Sequence, residues 1–401
     1  MIARPSPSRI RAEHWGLDPS VTFLNHGSFG ACPIPVLEAQ REYRRRMESE
    51  PVRFFVRELE ALLDGAREDL ARFLGADPCD LAFVPNATTG VNAVLRSLRF
   101  DPGDELLVTD HAYNACANAL RFVADLWGAA VVVAPLPFPI RSFDEVLESV
   151  LGRVSPKTRL ALVDHVTSPT GLVLDIARIV AALDARGVPA LVDGAHAPGM
   201  IRLDLKGIGA HYYAGNCHKW ICAPKGAGFL HVRSDVQKGI RPVVISHGAN
   251  SPRTDRSRFL QEFDWTGTDD PTAFLCVPHA LRFMGSLLPG GWDALEDSNR
   301  RLALGARGAI CGALGIPHPS PDGMVGSLAA FPIPDGSPEP PPSALYNDPL
   351  QDDLLETWGI EAPLVPWPAP PKRLIRISAQ IYNTAEEYDY LAGALASVFG
   401  L

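Results

Sequence analysis

Residues 189–199 read PALVDGAHAPG: the chain is apolar from Pro189 to Val192 and turns polar at Asp193. A run this short suits a strand rather than a helix, and its lack of alternation suits a strand buried on both faces. Working outward, comparable runs are LAFV (81–84), ELLVT (105–109), AVVVA (130–134), RLALVD (159–164), HYYAG (211–215) and GFLHV (228–232). Stretches of helical length separate most of them, as crossovers between parallel strands require. The expectation is an α/β fold with a mostly parallel sheet. Before the first run, Val56, Leu59, Leu63, Ala66 and Leu70 recur at three- and four-residue spacing and predict a helix beginning near residue 55.

A chain of 401 residues suits one large and one smaller domain, expected over 20–280 and over 281–401 together with 1–19. The proline-rich stretches 332–345 and 361–372 read as exposed loops of the smaller domain. The final TAEEYDYLAGALASVFGL has a Thr cap, an acidic first turn and an apolar body, so it reads as a docking helix. With 37 basic against 46 acidic side chains and no basic block, the chain lacks a footprint for nucleic acid. It has no run of about 18 apolar residues to span a membrane, and its start lacks the apolar core of a signal peptide. A soluble cytoplasmic protein is expected. The seven scattered cysteines read as reduced thiols. Cys217, His218 and Cys222 lack a second cluster that would complete a ligand set, so no metal is expected.

Ligands of open parallel sheets bind outside the carboxyl ends of the strands. Those positions hold PNATTGVN (85–92), DHAYNA (110–115), DHVTSPTG (164–171), DGAHAPG (193–199) and NCHK (216–219). Ala87, Thr88 and Thr89 fall at an expected helix start, where free N–H groups and hydroxyls suit a phosphate, although simple capping uses the same residues. Asp193 suits either a turn or a carboxylate that holds a proton on the nitrogen of a bound pyridine. Lys219, in GNCHKWICAPKG (215–226), stands between His218 and Trp220 with no carboxylate within four residues. An amine stripped of solvation is nucleophilic near neutral pH and condenses with aldehydes. A phosphate site, a strand-end aspartate and such a lysine together point to pyridoxal phosphate.

With LNHGSFG (24–30), EPVRFFVR (50–57), VDGAHAPG (192–199), YAGNCHKWICAPKGAGFLHV (213–232) and RISAQIYNT (376–384), the chain resembles the class V aminotransferase-fold enzymes. Within them it is most similar to the isopenicillin N epimerase branch. The resemblance covers nearly the whole chain and implies fold type I, the aspartate aminotransferase-like transferase fold that binds pyridoxal 5'-phosphate in a large domain beside a smaller α+β domain. It implies that Lys219 carries the cofactor, that Asp193 faces the ring nitrogen, and that His196 and Ser168 lie near the phenolic oxygen, where many relatives have Asn in place of Ser168. Thr88, with the Ala87 and Thr89 backbone, would hold the phosphate, assisted by Asn216 and His218; relatives often have Ser at the Asn216 position. Thr268 would reach the phosphate of a neighbouring subunit, which implies a homodimer with shared sites. Arg376 would take the substrate α-carboxylate, Tyr113 would stack on the ring and move protons, and Asn25 and His26 would line the substrate mouth.

Three reactions share the first step at Cα: epimerisation, C–S lysis as in related enzymes of ergothioneine synthesis, and transamination. Resemblance favours the first. Cysteine desulfuration is disfavoured, since no cysteine lies between Cys311 and Arg376. A fold-only module without catalysis would be expected to lose Lys219, Asp193 or Arg376, and all three are present. Segments 247–265 and 332–372 are expected to wall the pocket around an amino-acid substrate.

Overall fold

The computed structural model describes residues 4–339 and 348–401, so the 340–345 part of the first proline-rich stretch lies outside the described residues. Seven strands make the main sheet: β1 (Leu81–Val84), β2 (Glu105–Thr109), β3 (Ala130–Ala134), β4 (Thr158–Asp164), β5 (Ala190–Gly194), β6 (Tyr212–Asn216) and β7 (Gly228–Val232). Their order is β1-β7-β6-β5-β4-β2-β3. Only β7 runs against its neighbours β6 and β1. Two reversals restore the direction, so the carboxyl end of β1 opens on the same side as those of β2, β4, β5 and β6.

The unbroken apolar runs have a direct cause: alternate residues enter two different cores. Leu107, Ala161, Val163, Val192 and Tyr213 pack on one face. Leu106, Leu160, Leu162, Leu191 and Tyr212 pack on the other. AVVVA departs from the expectation, because β3 is an edge strand and Val133 is exposed.

Helix α1 (Leu59–Leu74) buries Leu59, Leu63, Ala66 and Leu70 as their spacing demands. Val56 does not join them: Phe54–Glu58 is wound as a π-helix, which shifts the register so that Phe54 is buried and Val56 faces out, 75% exposed. Helices α2 (Ala87–Ser97), α3 (Asn114–Trp127), α4 (Phe143–Leu151) and α5 (Ile176–Asp184) supply the layers beside the sheet.

A second, antiparallel sheet joins β8 (Leu328–Ile333), β9 (Leu364–Pro366) and β10 (Arg373–Ser378) in the order β9-β10-β8. Its core takes Ala303 and Ile310 of α6 (Gly291–Leu314), Leu354 of α7 (Pro349–Trp358), and Tyr388, Leu391 and Leu395 of α8 (Ala385–Phe399). Parts of both proline-rich stretches therefore are strand rather than loop. Pro332 and Pro366 sit on the two edge strands, where a missing N–H breaks no ladder bond. α8 begins as expected at Thr384, whose N–H donates to the Glu387 carboxylate. Glu387 also pairs, buried, with Arg11 of the N-terminal segment at 3.3 Å. Among the described residues no helix is long and apolar enough to cross a membrane, and no three His, Cys, Asp or Glu side chains form a metal-binding group.

Candidate active site

The carboxyl ends of β1, β2, β4, β5 and β6 enclose a cavity of about 510 Å³, lined among others by Thr88, Tyr113, Asp164, Asp193, His196 and Lys219. Ala87, Thr89, Ser168, Asn216 and His218, all named from sequence, also line it, as do Ser28, Phe29 and Asn86, which were not.

At one end α2 presents its N-terminus. Asn86 caps it, its side chain accepting from Thr89 N–H at 2.9 Å. Asn216 Oδ1 takes the Ala87 N–H at 2.8 Å, and Gly90 N–H bonds back to the Asn86 carbonyl. These bonds narrow the expected phosphate cradle, for Thr88 is left with a helix-start N–H that has no partner among the described residues. His218 donates Nδ1–H to the Ala227 carbonyl at 2.9 Å, so in its neutral form Nε2 is an acceptor. Burial pushes its imidazolium down to about 4, and an anion beside it would raise that value.

At the other end two carboxyls stand side by side, Asp164 and Asp193 being partners in the β4–β5 register. Asp193 accepts from Ala195 N–H at 3.0 Å and from the Cys116 thiol at 3.1 Å. Burial, and then the Asp193 charge, hold that thiol well above its usual range, so it stays a donor. Asp164 is also buried, and its Oδ2 has no partner. Burial first, and Asp193 second, push its carboxyl well up, so Asp164 stays neutral. Asp164 was missed as a site residue although it opens the DHVTSPTG segment. Only strand register places it beside Asp193.

Lys219 follows β6, its Nζ lying 3.1 Å from His196 Nε2. Burial, reinforced by the Arg376 guanidinium, pushes its ammonium down to about 7, so near neutral pH a large share is free amine. Two glycines let other segments press on this loop. A Cβ on Gly30, at φ +71°, would sit 2.0 Å from the His218 carbonyl oxygen, and one on Gly199, at φ +82°, 2.8 Å from the Trp220 carbonyl carbon. Gly30→Ala is therefore expected to cost about 2–4 kcal/mol in urea unfolding, from the left-handed backbone and the forced displacement together. A loss below ~1 kcal/mol would show that the loop is not held this way.

Arg376, on β10, is buried and reaches the rim rather than the lining. One guanidinium nitrogen donates to the Ser168 carbonyl at 2.5 Å and more weakly to its hydroxyl at 3.3 Å; the other donates to Ser28 Oγ at 3.0 Å. Ser168, expected beside a phenolic oxygen, thus also anchors the arginine. Burial lowers Arg376 only to about 10, so it keeps its charge.

Three expectations are corrected. His26 does not line the mouth: its ring is wholly buried, bonded to Tyr382 Oη at 2.8 Å and to the Lys219 carbonyl at 3.0 Å. Asn25 lies behind the lining and bonds Ser28 and Glu361. Segments 247–265 and, among the described residues, 332–372 do not line the cavity; the first packs instead near Leu59 and Leu63, and Trp367 of the second meets His111 edge to face. Thr268 is exposed and outside the cavity of its own chain.

Comparison with known proteins places these features among relatives. The family described as aminotransferase class-V matches residues 25–309. An isopenicillin N epimerase of Amycolatopsis lactamdurans is 37% identical, with 96% of this chain and 96% of that protein covered. A probable chloroplastic L-cysteine desulfhydrase of Arabidopsis thaliana is 32% identical, with 97% of this chain and 85% of that protein covered. Among solved structures, a cystine C–S lyase in complex with its product cysteine persulfide is similar at a TM-score of 0.77 and 23% identity, with 94% of this chain and 97% of that one covered.

Proposed function

This chain belongs to the aminotransferase class-V family of pyridoxal-phosphate enzymes, and from that premise we propose that it epimerises the Cα of an amino acid or an amino-acid-containing small molecule. The cavity fits the cofactor. Thr88 N–H at the start of α2 suits the phosphate, the buried Asp193 and the partnerless Asp164 Oδ2 suit the ring nitrogen, and a largely neutral Lys219 amine suits the aldehyde. When bound, pyridoxal phosphate supplies an aldehyde that captures amines and a ring that draws electrons from Cα.

The residues supply the rest. Asp193 would hold a proton on the ring nitrogen, and Asp164, pushed up by burial, stays neutral beside it. Lys219 takes the Cα proton as a free amine. Tyr113, just before α3, keeps its phenol proton because burial, helped by Cys116 and Asp193, raises it, so it is the second proton donor of the cavity. Arg376 receives the α-carboxylate, which as an anion displaces the neutral Ser28 and Ser168 acceptors. One observation carries the reading: a free amine and a protonated phenol share one cavity whose lining has no cysteine to accept sulfur. Exposed Thr268 belongs, on this reading, against a second copy of the chain, in a cytoplasmic homodimer.

C–S lysis is the second reading, favoured by the desulfhydrase relative. In it Lys219 acts identically and the Tyr113 phenol protonates the departing sulfur. Both are tested by incubating the cofactor-loaded protein with isopenicillin N and with L-cysteine in D₂O. Deuterium at Cα with inversion is expected. Pyruvate and sulfide from cysteine would select the lyase, whereas an oxo acid formed only with an amino acceptor would overturn both.

A further inference from the structure

Trp220 is fully buried, and its indole Nε1–H points at His196 Nδ1 across 3.5 Å. An indole N–H can only donate. His196 Nδ1 must therefore be the bare nitrogen, and in a neutral imidazole the proton then sits on Nε2. That nitrogen faces Lys219 Nζ at 3.1 Å. An N–H facing an ammonium would set hydrogen against hydrogen, whereas facing a free amine it meets a lone pair.

We propose that Trp220 is a positioning residue whose indole N–H fixes His196 as the Nε2–H tautomer, and that this tautomer holds the Lys219 amine neutral and oriented. The other groups around Lys219 show why such a device has work to do. Asp193 of β5 favours its ammonium form, and Arg376 of β10 opposes it. His196 itself is held well below its usual range by burial first, then by Lys219, Arg376, His26 and His218, so the imidazolium does not compete. The His26 ring packs tilted against Trp220, centroids 5.0 Å apart, and its Nε2 bonds the Lys219 carbonyl, so the indole and the lysine backbone are braced by one ring. If the indole N–H is removed, His196 is free to carry its proton on Nδ1, and Nε2 then accepts from an ammonium and stabilises it.

The proposal rests on Lys219 being the covalent lysine, and the test separates the two ideas. In the full-length apoprotein with ¹⁵N-labelled histidine, two-bond nitrogen–proton correlations report the His196 tautomer without any cofactor, His196→Gln giving the assignment. The Nε2–H pattern is expected in the wild type at neutral pH, and a shift toward Nδ1–H in Trp220→Phe. In that variant the pH profile of pyridoxal phosphate capture should move up by about one unit, making capture ~5-fold slower near pH 7. An Nδ1–H or imidazolium pattern in the wild type would overturn the proposal, as would an unchanged tautomer and profile in Trp220→Phe. If that variant does not fold, the wild-type spectrum alone decides. Failure of the wild type to capture the cofactor would instead strike at the role of Lys219.

Discussion

Lys219→Ala is expected to abolish the visible absorbance that appears when pyridoxal phosphate is added to the apoprotein, and to cut Cα–H exchange by ~1,000-fold or more. On the proposed reading the side chain has two tasks, capture of the aldehyde and removal of the Cα proton, and no neighbour among the described residues duplicates either. His196 is the nearest base, but burial and the surrounding cations keep it from taking up a proton. The other lysine of the segment, Lys225, is committed to the Gly30 carbonyl at 2.9 Å. The fold should survive, because the loop is tied by backbone bonds: the Lys219 carbonyl accepts from Cys222 N–H and from His26. An alanine variant that unfolds in urea like the wild type yet retains exchange within ~10-fold would remove Lys219 from the chemistry.

Asp193→Asn is expected to lower turnover ~100- to 1,000-fold while the cofactor still binds. On the proposed reading the aspartate would face the ring nitrogen of the cofactor and keep it protonated. The amide keeps the shape, so the helix start and Lys219 still hold the ligand, but it offers no charge where electrons must flow. Cys116 would lose a charged acceptor for its thiol. Asp164→Asn should cost less than ~10-fold, because that carboxyl is already neutral, pushed up by burial and by Asp193. Turnover by each variant checks both statements. A larger loss in Asp164→Asn than in Asp193→Asn would reverse the two roles.

The unequal weight of these two aspartates shows where sequence reading stops. The main sheet was legible because both faces of its inner strands are covered, which leaves unbroken apolar runs such as RLALV and PALV. That Lys219, Asp193 and Thr88 would gather at one cavity was legible because they follow strand ends that open on the same side of the sheet. Asp164 was not, since its importance arises from register with β5, which spacing alone does not reveal. His26 was misread because its partner Tyr382 lies 356 residues away, and only the folded chain shows that the ring turns inward. Ser28 escaped notice because its task is to hold Arg376, itself on a distant strand. Parts of the small sheet's two edge strands, residues 332–333 and 364–366, were read as loop because proline on an edge strand looks the same in sequence as proline in a loop.

The most direct test is covalent. Full-length protein loaded with pyridoxal phosphate is reduced with borohydride, digested and mapped by mass spectrometry. A single pyridoxyl group on Lys219 is expected, in the peptide that contains His218 and Trp220. Label on another lysine, or none retained after reduction, would contradict the placement of the chemistry at the end of β6.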